Sequence, residues 1–466
     1  MSQPGTATLP LRVAIVGSGP AAFYAADHLQ KQPGLVVQID MLDRVPTPFG
    51  LVRGGVAPDH QKIKAVTRVY DQIAARPGFR FFGDVEFGKH VTIEDLRRHF
   101  HQVLFASGAQ TDRQMGIPGE GLAGSHPATE FVAWYNGHPD YQHLRFDLDR
   151  ECVAVVGVGN VAIDVARILC RTPEELRATD MPDSAIEALS KSRVKDVYLL
   201  GRRGPAQAAF TTPEVKEVGE MPGADVIVRP DEAELDPLSL ADVRKSADRE
   251  LDRKIEYLQA YSKRSPSGKA RRLHIRFLVS PTELVGDAHG HVASMRLVRN
   301  ALVAGDGGSI SAKPTGAVEE LAAGLVFRSV GYRGVALPGI PFLEKSGTIP
   351  HDKGRVVDGT TKSPLVGVYA TGWIKRGPSG VIGTNKPDSV ETATSMIEDL
   401  AKGALFAPES PDPARFETLV RDRQPKYFSF ADWRRIDEIE IARGKESGRP
   451  RVKFTSRDAM LAALGR

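Results

Sequence analysis

The sequence predicts an α/β fold class with two Rossmann-like domains, each built on a parallel sheet. Two apolar, β-branched runs end at Gly17 and Gly157, and each is followed by a glycine-rich turn and an apolar helical stretch. Each helix leads into another strand-like run, so two strand–helix–strand units of one kind lie about 140 residues apart (157 − 17). The length, 466 residues, predicts two or three domains at about 150 residues each.

The first unit reads as a strand over Leu11–Val16, a helix over 21–30 and a strand over 35–42. The second reads as a strand over Cys152–Val156, a helix over 161–169 and a strand over 194–200. Between them and beyond, the pattern is less regular. Residues 172–195 read as a charged helical excursion, and 230–241, acidic and proline-containing, as loop. Residues 243–261 read as one amphipathic helix with Leu251, Ile255 and Leu258 on one face. Alternation over 271–302 predicts antiparallel strands, and 305–308 a turn. The stretch after residue 407 is proline-rich and then charged, and is expected to pack peripherally.

Composition narrows the chemistry. No run approaches the ~20 apolar residues of a membrane span, and residues 1–10 have no basic or apolar signal region, so a cytoplasmic location is expected. The two cysteines, Cys152 and Cys170, form no C-x-x-C or metal-type pair. That argues against dithiol flavoenzymes and cysteine-ligated iron–sulfur chemistry, and no metal site is expected. A net charge of +4 is too mild for a nucleic-acid binder of this length.

The turns themselves carry the chemistry. Gly17-Ser18-Gly19-Pro20-Ala21-Ala22 is G-x-G-x-x-A: Gly17 for the tight turn, Gly19 for close approach of a pyrophosphate, Ala22 for helix–strand packing. Phosphates then sit on the helix N-terminus. Asp43, 26 residues past Gly17 (43 − 17), is the carboxylate for the ribose hydroxyls; Asp40 lies within the strand and suits that role less well. Gly157-Val158-Gly159-Asn160-Val161-Ala162 repeats the pattern, but its second strand ends in Arg202 and Arg203. Guanidinium forks suit a 2′-phosphate, which a carboxylate would repel, so NADPH is favoured over NADH.

Residues 48–60, Pro-Phe-Gly-Leu-Val-Arg-Gly-Gly-Val-Ala-Pro-Asp-His, follow no periodicity. They resemble the signature of the adrenodoxin reductase-like ferredoxin–NADP(+) reductases, of the actinobacterial type. The likeness continues through 105–109, 201–205, 208–212, 329–334, 372–378 and 380–385. It implies an FAD domain made of residues 1–112 and 333–466, with an NADP domain, 113–332, inserted between. Carried over by position, FAD contacts fall at Ala21, Asp43, Leu51, Val85, Trp373, Gly380, Val381 and Ile382. NADP(H) contacts fall at Asn160, Val161, Ala162, Ile163, Arg202, Arg203, Glu214 and Gly380, with Arg113 a further one. Asp43 departs from the glutamate common in relatives. His60 and Glu214 resemble a polar pair near the nicotinamide; orienting the ring and transferring a proton are both open roles. The amides of 380–383 and the positive end of a helix beginning at Ser389 are expected near the flavin.

The resemblance implies hydride transfer from NADPH to FAD and single-electron transfer to a ferredoxin, with a cytochrome P450 as a downstream acceptor. Ferredoxins are usually acidic. Residues 244–276 hold eleven Lys and Arg against four Asp and Glu. Lys245, Arg249 and Arg253, spaced by four, are expected to line one helix face that docks the ferredoxin. Two other readings compete: a flavin-dependent NADPH monooxygenase, which needs a small organic substrate, and a non-catalytic dinucleotide sensor, which would show no rapid flavin reduction.

Overall fold

The computed structural model describes residues 3–305 and 308–466. The chain divides into two compact units. One comprises Met1–Thr111, Asn136–Gln142 and Tyr332–Arg466; the other comprises Asp112–Tyr135 and His143–Gly331. Residues 136–142 thus go with the chain ends, a distribution to which no motif points.

The first unit is built on a seven-stranded sheet. Its parallel part runs Phe79–Gly83, Val37–Asp43, Leu11–Val16, Gln102–Phe105, Pro364–Ala370, the 3-2-1-4-5 order of a dinucleotide-binding fold. Leu11–Val16 is buried at all six positions, as a central strand covered on both faces must be. The short strands His351–Asp352 and Arg355–Val357 extend the sheet antiparallel beyond Pro364–Ala370.

The second unit holds a six-stranded parallel sheet, ordered Ser125–Pro127, Leu325–Arg328, Cys152–Val156, Asp196–Leu200, Arg271–Arg276, Ala224–Val228. A separate antiparallel sheet follows, Val279–Gly286, Val292–Ala304 and Ile310–Leu321. The expectation of antiparallel strands over 271–302 therefore holds only from Val279 onward. Arg271–Arg276 alternates because Leu273 and Ile275 are buried while Arg272 is exposed, yet it pairs in parallel on both sides. Part of the turn expected at 305–308 lies outside the described residues.

Three expectations fail for identifiable reasons. Residues 230–241 are not a loop: helix Pro230–Ala233 is followed by helix Pro237–Ser246, each with its proline at the first helical position. The helix expected over 243–261 is two helices. Ala247 takes a left-handed φ of 49°, and the Asp248 side chain caps a new helix, Arg249–Tyr261. Ile255 and Leu258 are buried as expected. Lys245 consequently does not share a helix with Arg249 and Arg253.

The tail is not peripheral. Helices Pro413–Arg423, Phe430–Glu446 and Arg457–Ala463 place Phe416, Val420, Trp433, Ile436 and Met460 in the two hydrophobic clusters of the first unit. Its polar composition hides this, because single apolar residues three, four or seven apart suffice to dock a helix. No helix among the described residues is long and apolar enough to cross a membrane.

Candidate dinucleotide sites

Both glycine turns form as local chemistry dictates. Gly17 and Gly157 take φ of 105° and 130°, and a Cβ on either would collide with the carbonyl oxygen of Ala106 or Ser329. Around Gly19 and Gly159 nothing lies within 4 Å of where a Cβ would stand. The helices that follow, Pro20–Gln30 and Asn160–Cys170, begin at Gly19 and Gly159 with no side-chain cap, so their first-turn amides are offered outward. Ala22 and Ala162 are fully buried against their strands. Open space at the second glycine, bare amides and a tight turn are what a dinucleotide pyrophosphate requires, and the residues fit one at each turn.

In the first unit, Asp43 closes the end of strand Val37–Asp43. Its Oδ2 accepts hydrogen bonds from the Ser18 amide (3.0 Å) and the Ser18 hydroxyl, and its Oδ1 from the Val45 amide (3.1 Å). Burial pushes the Asp43 carboxyl above its ordinary value, and these donors pull it back. The carboxylate is thus fixed to the motif itself, where a ribose would lie beyond the pyrophosphate. Asp40 is spent elsewhere, fully buried between Arg12 (2.6 Å) and Arg80 (2.7 Å).

The signature loop lies against this turn. The Phe49 amide donates to Ser18 O (3.0 Å), and a Cβ on Gly50 would stand 3.0 Å from Gly19 Cα. Leu51 is 39% exposed beside it, and the Val85 amide donates to Asp43 O (2.8 Å). His60 precedes the short helix Gln61–Lys64. Ala21 is tied to the other end of the chain: its carbonyl accepts from Ser389 Oγ (2.9 Å), and Gly372 packs on its Cβ. Trp373 stands next along, its ring 5.4 Å from that of Tyr332. Gly380 and Val381 are exposed and Ile382 half-buried. The helix expected from Ser389 starts four residues earlier, at Asn385. Its first-turn Asp388 accepts from the Gly372 amide (2.6 Å) and pairs with buried Lys375 (3.1 Å), so this helix end carries a carboxylate of its own.

In the second unit the same architecture ends differently. Val158 O accepts from the Ala209 and Phe210 amides (2.8 and 2.9 Å), and Asn160 Oδ1 from the Thr211 amide (2.9 Å). Ala162 and Ile163 are fully buried, and the Ile163 amide is committed to Gly159 O (3.1 Å). Val161 is half-buried at the rim. Arg202 is exposed and Arg203 half-buried, their carbonyls pinned by Asn300 Nδ2 (2.9 Å) and the Leu278 amide (3.1 Å). Burial, and then the adjacent Arg202, lower the Arg203 guanidinium. Two cations held side by side in this way favour an anionic partner. The Arg113 amide donates to Gly331 O (2.8 Å).

Glu214 lies in helix Thr212–Gly219 and is largely buried. Its carboxylate accepts from Arg167 Nη1 (2.7 Å), and Arg167, with no exposed surface, also reaches Asp164 (2.7 Å) and Glu217 (3.6 Å). Sequence reasoning missed Arg167, although a charge inside the apolar run Val165–Cys170 was a signal. It also missed Ser18, whose signal is a hydroxyl between the two motif glycines.

The basic segment is largely used up internally. Lys254, Arg264, Lys269 and Arg271 donate to backbone carbonyls, and Arg272 and Arg276 pair with Asp196 and Glu232. Arg244, Lys245, Arg249 and Lys263 remain exposed, as does Arg253, which pairs with Glu250 (3.2 Å). Both cysteines are free, and burial pushes their thiols up to about 12.

The model of the pyridine nucleotide-disulphide oxidoreductase family matches residues 11–202. NADPH-ferredoxin reductase FprA of Mycobacterium tuberculosis is 45% identical over 455 residues, 96% of this chain and 97% of that protein. The human mitochondrial NADPH:adrenodoxin oxidoreductase is 41% identical, covering 97% and 92%. The solved structure of Mycobacterium tuberculosis FprA in complex with NADPH matches with a TM-score of 0.92 at 43% identity, over 98% of this chain and 100% of that one. With two dinucleotide turns in place and relatives this similar along nearly its whole length, the chain belongs to the adrenodoxin reductase-like NADPH-ferredoxin reductases.

Proposed function

We infer that this chain is an FAD-dependent oxidoreductase that carries reducing equivalents from NADPH to a ferredoxin. The observation that carries the reading is the unequal pair of turns: a carboxylate closes one and two arginines close the other. FAD, when bound, accepts a hydride from NADPH and releases electrons singly. The chain's own residues supply the rest. Gly19 and the first-turn amides receive the FAD pyrophosphate, and Asp43 its ribose. Gly159 and the amides that follow it receive the NADPH pyrophosphate, while Arg202 and Arg203 take the 2′-phosphate. Glu214, held by Arg167, and His60 serve the nicotinamide as orienting groups, since hydride transfer needs alignment more than an acid or base.

The acceptor docks, in this reading, on the exposed cations around Lys245, Arg249 and Arg253, at the junction of two helices rather than along one. The reduced ferredoxin then serves a one-electron consumer such as a cytochrome P450. NADPH-driven cytochrome c reduction, with and without a panel of ferredoxins, tests the activity; a rate indifferent to every ferredoxin would sink the acceptor assignment and leave the cofactors standing. Changing Lys245 and Arg249 to Glu should raise the KM for ferredoxin and flatten its salt dependence. Unchanged kinetics would remove this docking face.

A further inference from the structure

One fully buried charged group has no part in the function above. Glu440, in the tail helix, has no exposed surface. Its carboxylate accepts from Arg53 Nη2 and Nη1 (2.6 and 2.8 Å), 387 positions away in the signature loop, and from the Phe454 amide (2.9 Å). Arg53 lies 4.9 Å over the Trp433 ring, and Trp433 meets Phe49 edge-on at 5.7 Å. Phe49 holds a φ of 85°, a costly conformation for a non-glycine residue that surrounding structure must enforce. Its amide donates to Ser18, and the next residue, Gly50, packs on Gly19. Lys453, also buried, donates to Arg53 O (3.3 Å) and Asn136 O (3.2 Å), which binds residues 136–142 into the same knot.

We propose that Glu440 and Trp433 are positioning residues for FAD: through Arg53 and Phe49 they clamp the signature loop onto Gly19 and keep the first glycine turn shaped for the nucleotide. The proposal rests on the reading of that turn as the FAD site. Burial works against a charge on Glu440, yet the Arg53 and Arg451 guanidiniums and the Phe454 amide hold its carboxyl below the usual range. The clamp is therefore an ion pair at neutral pH, bidentate and shielded from salt.

The test uses the purified holoprotein and two variants, Glu440→Gln and Arg53→Lys. The first keeps the shape and removes the charge; the second keeps the charge and removes the fork. FAD release is followed by flavin fluorescence, and affinity for 2′,5′-ADP by calorimetry as a measure of the other unit. The expected result is FAD release at least ~10-fold faster in both variants, with 2′,5′-ADP affinity unchanged, a loss of ~1.4 kcal/mol or more in FAD retention. A folded Glu440→Gln protein that releases FAD at the wild-type rate overturns the clamp. So does an equal loss of 2′,5′-ADP affinity, which would mark general destabilisation. If Glu440→Gln does not fold, Arg53→Lys decides on the same readout. A wild-type protein that purifies without flavin would remove the FAD reading itself, a failure distinct from that of the clamp.

Discussion

At the first glycine turn a serine hydroxyl and a carboxylate face each other; at the second, Val158 and a pair of arginines stand in the corresponding places. Almost everything else repeats. In both turns the first glycine's amide donates to the end of the neighbouring strand, at Leu42 O or Leu200 O. In both, the carbonyl of the residue between the glycines receives an amide from a loop further along, Phe49 in one case and Ala209 and Phe210 in the other. The shared part is what any pyrophosphate needs. The differing part is what the proposed function uses to tell the hydroxyls of a ribose from a 2′-phosphate. The proposed function places specificity just past the end of the second strand, 26 and 45 residues after the respective first glycines (43 − 17 and 202 − 157).

The comparison can be broken most severely at the shared glycines. Gly17→Ala should abolish flavin retention while the second unit still binds 2′,5′-ADP, and Gly157→Ala should do the reverse. A left-handed φ and overlap with a carbonyl oxygen together cost about 3 kcal/mol, or ~100-fold. Flavin absorbance per protein and calorimetry read the two losses; if either substitution removed both ligands, the units would not be the independent sites described. A smaller effect is expected at the arginines. Arg202→Ala or Arg203→Ala should raise the KM for NADPH about 10- to 100-fold and leave that for NADH nearly unchanged, because a charge-assisted hydrogen bond is worth ~1.5–3 kcal/mol. Equal losses for both nucleotides in steady-state kinetics would move the 2′-phosphate elsewhere.

The carboxylate turn should also be the pH-sensitive one. The Asp43 carboxyl is raised in the fold, so its contribution favours the fold at low pH. That contribution is lost as pH rises from the unfolded value, about 3.9, through the folded one. Thermal melts of wild type and Asp43→Asn across the acidic range should differ in slope in this sense; parallel curves would contradict it. Ser18→Ala, which removes one donor from Asp43, should weaken FAD binding by ~1 kcal/mol, about five-fold, in fluorescence titration. The smallest effect belongs to Asn160→Ala, which frees only the Thr211 amide: about two-fold in NADPH affinity by calorimetry.

Local sequence determined the parts of this protein that are local in physics. Strand, tight turn and helix follow one another within a dozen residues at 11–22 and at 152–162, where apolar runs, left-handed glycines and small residues act on their nearest neighbours. The position of Arg202 and Arg203 was legible for the same reason: they follow directly on the strand Asp196–Leu200. The break at Ala247 was not, because nothing in the periodicity of 243–261 marks one left-handed residue. The tail helices were not legible either, since their few buried residues have meaning only against the sheet they cover. Glu440 is the extreme case. A glutamate in a charged helix reads as solvated, and only tertiary structure, by bringing Arg53 and the Phe454 amide to it and excluding water, turned it into a buried anion paired with the signature loop.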